Sequence, residues 1–358
     1  MNKRRDFLKA TFAGIAALQL QPLASLANSQ SNKLLFDYWM WVRPDQKDSE
    51  TVLKNRYQSY RDVGVRGLFF EDYNKKHFQI AKEIGLETHR WMWTMNRGEK
   101  DLLAQHPEYY AVSRSGKSCA TAPPYVDYYR FLCPSHPDVP KYLEEKSREQ
   151  LEKEDVDGLH LDYIRYPDVV LPVNLWKNYN LDQSAELADY DFCYSKYSKA
   201  TFLKETGIDI DKVERPDQSP SWRSFRYKQI NKIVNRIADV AKKYDKPLTA
   251  AVFPTPDLAK RIVRQDWTNW KLSGVFPMIY HGFYSEPISW IGTAVNEGVE
   301  ALNGKFPLYA GLYLPDFKTA EEMRQAISLS KKNGAAGISL FGETDFTPAI
   351  LEVLKSFR

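Results

Sequence analysis

Glu71-Asp72, Asp162, Glu343 and Asp345 are carboxylates that each stand at or just past the end of a short apolar run. Hydrolysis of a glycosidic bond needs two such groups flanking the bond, one protonated as acid and one ionised as nucleophile or base. Rings collect near the same run ends: Trp39 and Trp41, Trp91 and Trp93, Tyr280 followed by His281, and Tyr313. Sugars present flat C–H faces that stack on such rings, whose polar tips remain available to hydroxyls. Large aromatics are mostly buried, so about half of these rings are expected in the core, turned outward beneath helices.

The elements that would bring these residues together are legible as eight repeats. Apolar runs rich in β-branched and aromatic residues cover 34–42, 65–72, 86–95, 156–163, 247–253, 274–280, 307–313 and 336–342. They alternate with amphipathic stretches over 49–63, 75–84, 139–154, 225–244, 258–271, 287–302, 320–333 and 348–357. Strict strand–helix alternation with strands apolar on both faces predicts an α/β fold, a (β/α)₈ TIM barrel, formed by residues 28–358 as a single domain. A doubly wound open sheet is the alternative, but no Gly-x-Gly-x-x-Gly follows the first run and no phosphate-binding loop appears. Two connections are long, 96–138 after strand three and 167–224 after strand four. Both follow strands, so both are expected on the C-terminal face, where barrel enzymes build their sites. Period-two alternation groups Gly158, His160 and Asp162 on one face, with His160 beneath Asp162, and groups Ser339, Phe341 and Glu343 in the same way. For the adjacent Glu71 and Asp72 the pattern leaves open which one faces the mouth.

Composition narrows the partners. The chain has 358 residues, a net charge of +4 and no basic stripe, which argues against nucleic acid. Aromatic residues reach 14%, including Trp 9 and Tyr 22, consistent with a large core or a carbohydrate surface. Residues 1–27 combine a basic start containing Arg4-Arg5 with an apolar run and a small-residue end, Ser25-Leu26-Ala27. They are expected to be an export signal of twin-arginine type or general secretory type, leaving a mature protein in the periplasm or outside the cell without a membrane span. Three cysteines cannot all pair; Cys119 with Cys133 is one pairing that an oxidising compartment would allow. A metal-dependent hydrolase would want His-x-His on the first strand, and none of the His 6 is so spaced. No metal or other cofactor is therefore expected.

The segment Asp157-Gly-Leu-His-Leu-Asp-Tyr-Ile-Arg-Tyr-Pro167 resembles the signature of glycosyl hydrolase-like family 10, barrel glycosidases of bacterial envelopes and polysaccharide-degrading systems. His106-Pro-Glu-Tyr-Tyr110, Ser115-Gly-Lys117 and Leu132-Cys-Pro-Ser-His-Pro-Asp-Val139 resemble its preceding blocks. Trp222-Arg-Ser-Phe-Arg226, Pro277-Met-Ile-Tyr280 and Ala310-Gly-Leu-Tyr313 resemble later ones, so the resemblance spans nearly the whole mature chain. It departs at the first strand, where Leu35-Phe-Asp-Tyr-Trp39 replaces an Arg-Gly-Val/Ile-Trp-like block. First-strand ligand contacts are therefore not carried over, and neither is the substrate. The resemblance implies that Asp162 is the catalytic carboxylate, as nucleophile or base. Glu343 leads as the general acid, with Glu71 and Asp72 as competitors. Trp39, Trp41, Trp93, His160, Arg165, Tyr166, Tyr280, His281 and Tyr313 would contact sugar or orient the acids. The expected function is cleavage of a poly- or oligosaccharide, either peptidoglycan glycan or an exogenous polysaccharide; a non-catalytic carbohydrate-binding barrel is the alternative.

Overall fold

A computed structural model describes residues 36–342 and 346–357. Eight parallel strands are present: β1 (Asp37–Val42), β2 (Val65–Phe70), β3 (Glu87–Trp93), β4 (Gly158–Asp162), β5 (Leu248–Val252), β6 (Gly274–Pro277), β7 (Tyr309–Tyr313) and β8 (Gly337–Phe341). They pair in the order β6-β5-β4-β3-β2-β1-β8-β7. Two parallel bridges, Val275 to Leu308 and Met278 to Gly311, join the outermost strands and bring the sheet round to a barrel. Gly311 makes that seam feasible, because a Cβ there would lie 2.6 Å from the Pro277 carbonyl oxygen.

Helices fill the intervals: α1 (Glu50–Asp62), α2 (Lys75–Glu83), α3 (Lys100–Gln105), α4 (Val139–Leu151), α5 (Lys196–Thr206), α6 (Pro220–Lys243), α7 (Pro256–Val263), α8 (Trp290–Leu302), α9 (Ala320–Lys332) and α10 (Pro348–Lys355). Side-chain caps start several of them, as at Ser49, Asn74, Ser219 and Thr255, and Thr319 with Glu322 forms a capping box. The chain reverses after α1 and α2 at Gly64 and Gly85, whose φ angles of 96° and 89° suit glycine. The stretch expected as one helix over 258–271 is shorter: α7 stops at Val263, Arg264 adopts a left-handed conformation, and a 3₁₀ turn follows at Trp267–Asn269.

Alternation divides the apolar residues into two layers. Tyr38, Met40 and Val42 of β1 pack outward into the core beneath the helices, while Trp39 and Trp41 point into the barrel with Phe69, Trp91, Ala251, Phe276 and Tyr309. The members of each Trp pair are two residues apart, so both face the same way, and the expectation that about half of these rings turn outward beneath helices is corrected for the Trp pairs.

The two long connections support each other. Ser113 bridges to Phe192, the Tyr194 amide donates to the Val112 carbonyl at 2.7 Å, and buried Asp191 accepts from the Arg226 guanidinium. Tyr194, Phe202, Ile210, Trp222 and Phe225 form a satellite core under the second connection. All three cysteines are buried and free. Cys133 lies against Ser195, Ser198 and Cys193, so the Cys119–Cys133 pairing is not formed. Among the described residues, no helix is long and apolar enough to cross a membrane.

Candidate active site

Asp162 is the last residue of β4 and points inward, 8% exposed, at the C-terminal end of the barrel. Its two oxygens are held separately. The Trp91 indole N–H donates to Oδ2 at 2.9 Å, and the Tyr163 amide donates to Oδ1 at 2.6 Å. That second bond accompanies a left-handed backbone at Tyr163, φ 47°, which is unusual for a bulky side chain. Burial raises the Asp162 carboxyl above the ordinary carboxylate range, against the opposing effect of the two N–H donors and the Arg165 charge.

Asp162 opens on a cavity of about 210 Å³. Its walls are largely rings: Trp41, Trp91 and Trp93 on one side, Tyr280, Phe283 and Phe341 on another. Tyr280 and Phe341 lie nearly parallel, at 6.0 Å and 10°. Leu171, Pro172 and Leu175 from the long connection after β4 complete the enclosure.

His160 is one inward position deeper on the same strand and is wholly buried, so it does not reach the cavity. The Trp41 indole N–H donates to its Nε2 at 3.1 Å, and its Nδ1 lies 2.8 Å from the Thr249 hydroxyl. An indole only donates, so Nε2 must be the acceptor and the ring is neutral with its proton on Nδ1. Burial depresses its pKa in the same sense. The expected role in binding hydroxyls is therefore corrected: His160 stacks on Phe69 at 3.7 Å and props Trp41 from below. Trp39 lies deeper still, stacked on Phe69 at 4.9 Å within the barrel core, out of reach of a ligand at the mouth.

The other expected site residues divide. Arg165 lines the cavity, but its Nη1 donates to Asp168 at 2.7 Å and to the Tyr166 carbonyl at 3.0 Å. Its guanidinium is also ringed by Tyr129, Phe131, Tyr163 and Phe253. Arg165 thus acts as a wall element and neutralises Asp168. Tyr166 is buried in the core outside the cavity, and Tyr313 packs behind Tyr280 and Phe341. His281 turns away toward Asp316, 3.7 Å distant, and Phe317. Period two along a strand separates inward from outward, but height along the barrel and direction past a strand end do not follow from alternation.

Exposure separates Glu71 from Asp72, although neither is among the residues that line the cavity. Glu71 is half-buried and accepts from Arg43, a cavity-wall residue, at 2.7 Å. Burial is the largest influence raising its pKa; the Arg43 charge opposes, and the charges of Asp72 and Asp162 add to the rise. The Asp72 side chain is 82% exposed beside Arg90 and faces away. Glu343 lies outside the described residues; Phe341, two positions before it, lines the cavity. Among the described residues no cluster of His, Cys, Asp and Glu is placed to hold a metal ion.

Several wall residues were not singled out from sequence. Tyr129, Leu171, Phe283 and Tyr284 belong to irregular segments with no periodicity to read.

Comparisons with known proteins agree with this geometry. No curated protein matches the chain by sequence. The glycoside hydrolase domain of PgaB (BpsB) from Bordetella bronchiseptica superposes with a TM-score of 0.67 at 13% identity, covering 90% of this chain and 98% of that one. The catalytic domain of the β-amylase from Paenibacillus polymyxa gives 0.60 at 12%, covering 90% and 97%. Gan42B, a GH42 β-galactosidase from G. stearothermophilus, gives 0.62 at 12%, covering 90% of this chain and 56% of that one. At such identities these likenesses establish the fold, a TIM barrel of the kind found in glycoside hydrolases. The model of the family Glycosyl hydrolase-like 10 matches residues 49–302. This stretch runs from the start of α1 to the end of α8 and includes Asp162 with most of its cavity, and on that match the chain belongs to the Glycosyl hydrolase-like 10 family.

Proposed function

We propose that the protein is a glycoside hydrolase that cleaves a poly- or oligosaccharide outside the cytoplasm, with Asp162 acting as nucleophile on the anomeric carbon or as the base that takes a proton from a water attacking it. The observation that carries this reading is a buried carboxylate, fixed by two N–H donors, at the floor of a cavity walled by rings. Two fixed donors orient the carboxylate before substrate arrives, and a water-poor setting strengthens its interaction with developing positive charge on the sugar. Trp41, Trp91, Trp93 and Tyr280 supply faces for the ring being cleaved.

The second carboxylate is Glu343 or Glu71, serving as general acid. Glu71 has the property an acid needs, a proton held more tightly through burial and neighbouring negative charge. Glu343 follows the cavity wall directly in sequence. Asp72 is too exposed for the role; Asp168, like Glu71, is ion-paired, and its pair with Arg165 is almost wholly buried. The substrate is peptidoglycan glycan or an exogenous polysaccharide, reached after export directed by residues 1–27.

Digestion of a glycan panel by the mature chain, with chromatography of the products, tests the proposal; release of shorter saccharides from at least one glycan is expected. A second reading, a carbohydrate-binding barrel without turnover, draws on one observation: among the described cavity-lining residues, Asp162 is the one carboxylate outside an ion pair. Retention of a glycan with no product from any of them would favour that reading and defeat the first.

A further inference from the structure

A second cavity of about 460 Å³ adjoins the first across a shared wall of Leu171, Pro172 and Tyr284. The 3₁₀ turns Val173–Tyr179 and His281–Tyr284 build this partition, joined where the Asn174 amide donates to the Gly282 carbonyl at 3.1 Å. Size separates the two spaces. Pockets that bury a drug-sized ligand run to about 300–1,000 Å³, and the mouth cavity, at about 210 Å³, falls below that range. A polymer cut at the mouth must be held along the rest of its length elsewhere, and binding energy from remote units is what an enzyme can spend at the reacting bond.

The chemistry of the second cavity suits such a hold. Trp176 and Trp290 are both half-buried on its lining. The Trp176 indole N–H donates to the Leu171 carbonyl at 2.8 Å, which fixes the ring by its edge. Trp290 is braced against Tyr284 at 5.4 Å. Exposed Arg261 and Glu286 stand at the rim, and among the described residues neither side chain has a hydrogen-bond or ion-pair partner. Braced indoles beside unengaged polar groups of both signs match a neutral polyhydroxylated chain better than an anionic or a purely apolar ligand.

We propose that this cavity is an auxiliary glycan-binding site, holding a stretch of the same polysaccharide away from the unit at Asp162; the inference rests on the carbohydrate reading of the mouth. Affinity electrophoresis tests it, with gels containing peptidoglycan glycan strands, xylan, β-glucan or galactan. The wild type should be retarded in at least one gel. Asp162→Asn should be retarded equally, and Trp176→Ala/Trp290→Ala at least fivefold less. Trp176→Phe, which keeps a flat ring, should recover most of the retardation. Circular dichroism verifies folding, and Trp290→Ala alone replaces the pair if the double variant is unfolded. Wild-type retardation in the double variant, or in Trp290→Ala where that stands in for it, would overturn the auxiliary site while leaving the mouth reading intact. Weakened retardation together with undiminished hydrolysis by Asp162→Asn would do the reverse. No retardation of the wild type in any gel would overturn the auxiliary site, while release of products from a glycan would leave the mouth reading standing.

Discussion

At the scale of single residues, the geometry assigns the setting of Asp162 to Trp91 and Tyr163. Each donates one N–H to a different oxygen, and both bonds favour the ionised form, while burial favours the protonated one. Trp91→Phe keeps the ring and deletes one donor. With less support for its charge, Asp162 should hold its proton to higher pH. The limb of the pH–rate profile on which activity rises with ionisation of this group therefore moves to higher pH. The bond lost is to a charged acceptor, worth about 1.5–3 kcal/mol, so kcat/KM should fall by roughly 10- to 100-fold. A pH–rate profile with an unmoved limb would show that the indole N–H does not set this carboxylate. Asp162 itself was legible in the sequence because it ends an apolar run at even spacing from His160 and Gly158. That same spacing placed His160 on the correct face but could not give its depth, and for Trp39 it left even the face open. Both belong to lower tiers of the barrel interior, where contacts are made with residues from strands distant in sequence, such as Thr249 and Phe69.

At the scale of elements, all eight strands and their flanking helices follow from periodicity, since each βα unit buries its apolar face locally on the next. Where packing depends on remote partners, the sequence is silent. The early stop of α7, the 3₁₀ turns that wall the cavity and the satellite core around Trp222 involve partners distant in sequence, such as Arg264 with Glu186 and Asn174 with Gly282. The seam between β6 and β7 is similar: Gly311 reads as an ordinary strand glycine until the Pro277 backbone is seen against it. A methyl group there meets backbone that cannot move aside cheaply. Gly311→Ala should therefore destabilise the fold by about 1–3 kcal/mol, read as a lower denaturation midpoint in urea. An unchanged midpoint would mean that the seam is loose and does not help to close the barrel.

At the scale of the whole molecule, the barrel supplies a rigid frame on which a carboxylate from β4, rings from β1, β3 and β8, and loops after β4 and β6 converge at one end. The proposed export through residues 1–27 has its own check: Arg4→Lys/Arg5→Lys should leave unprocessed precursor in the cytoplasm if the twin-arginine route is used, and normal processing would point to the general route. The central claim, that Asp162 acts on a sugar, is tested most directly by comparing wild type with Asp162→Asn on a glycan that the wild type digests. The account predicts a fall in kcat of about 10³-fold or more, with the melting profile and glycan retention preserved. Turnover by the variant at close to the wild-type rate would contradict it.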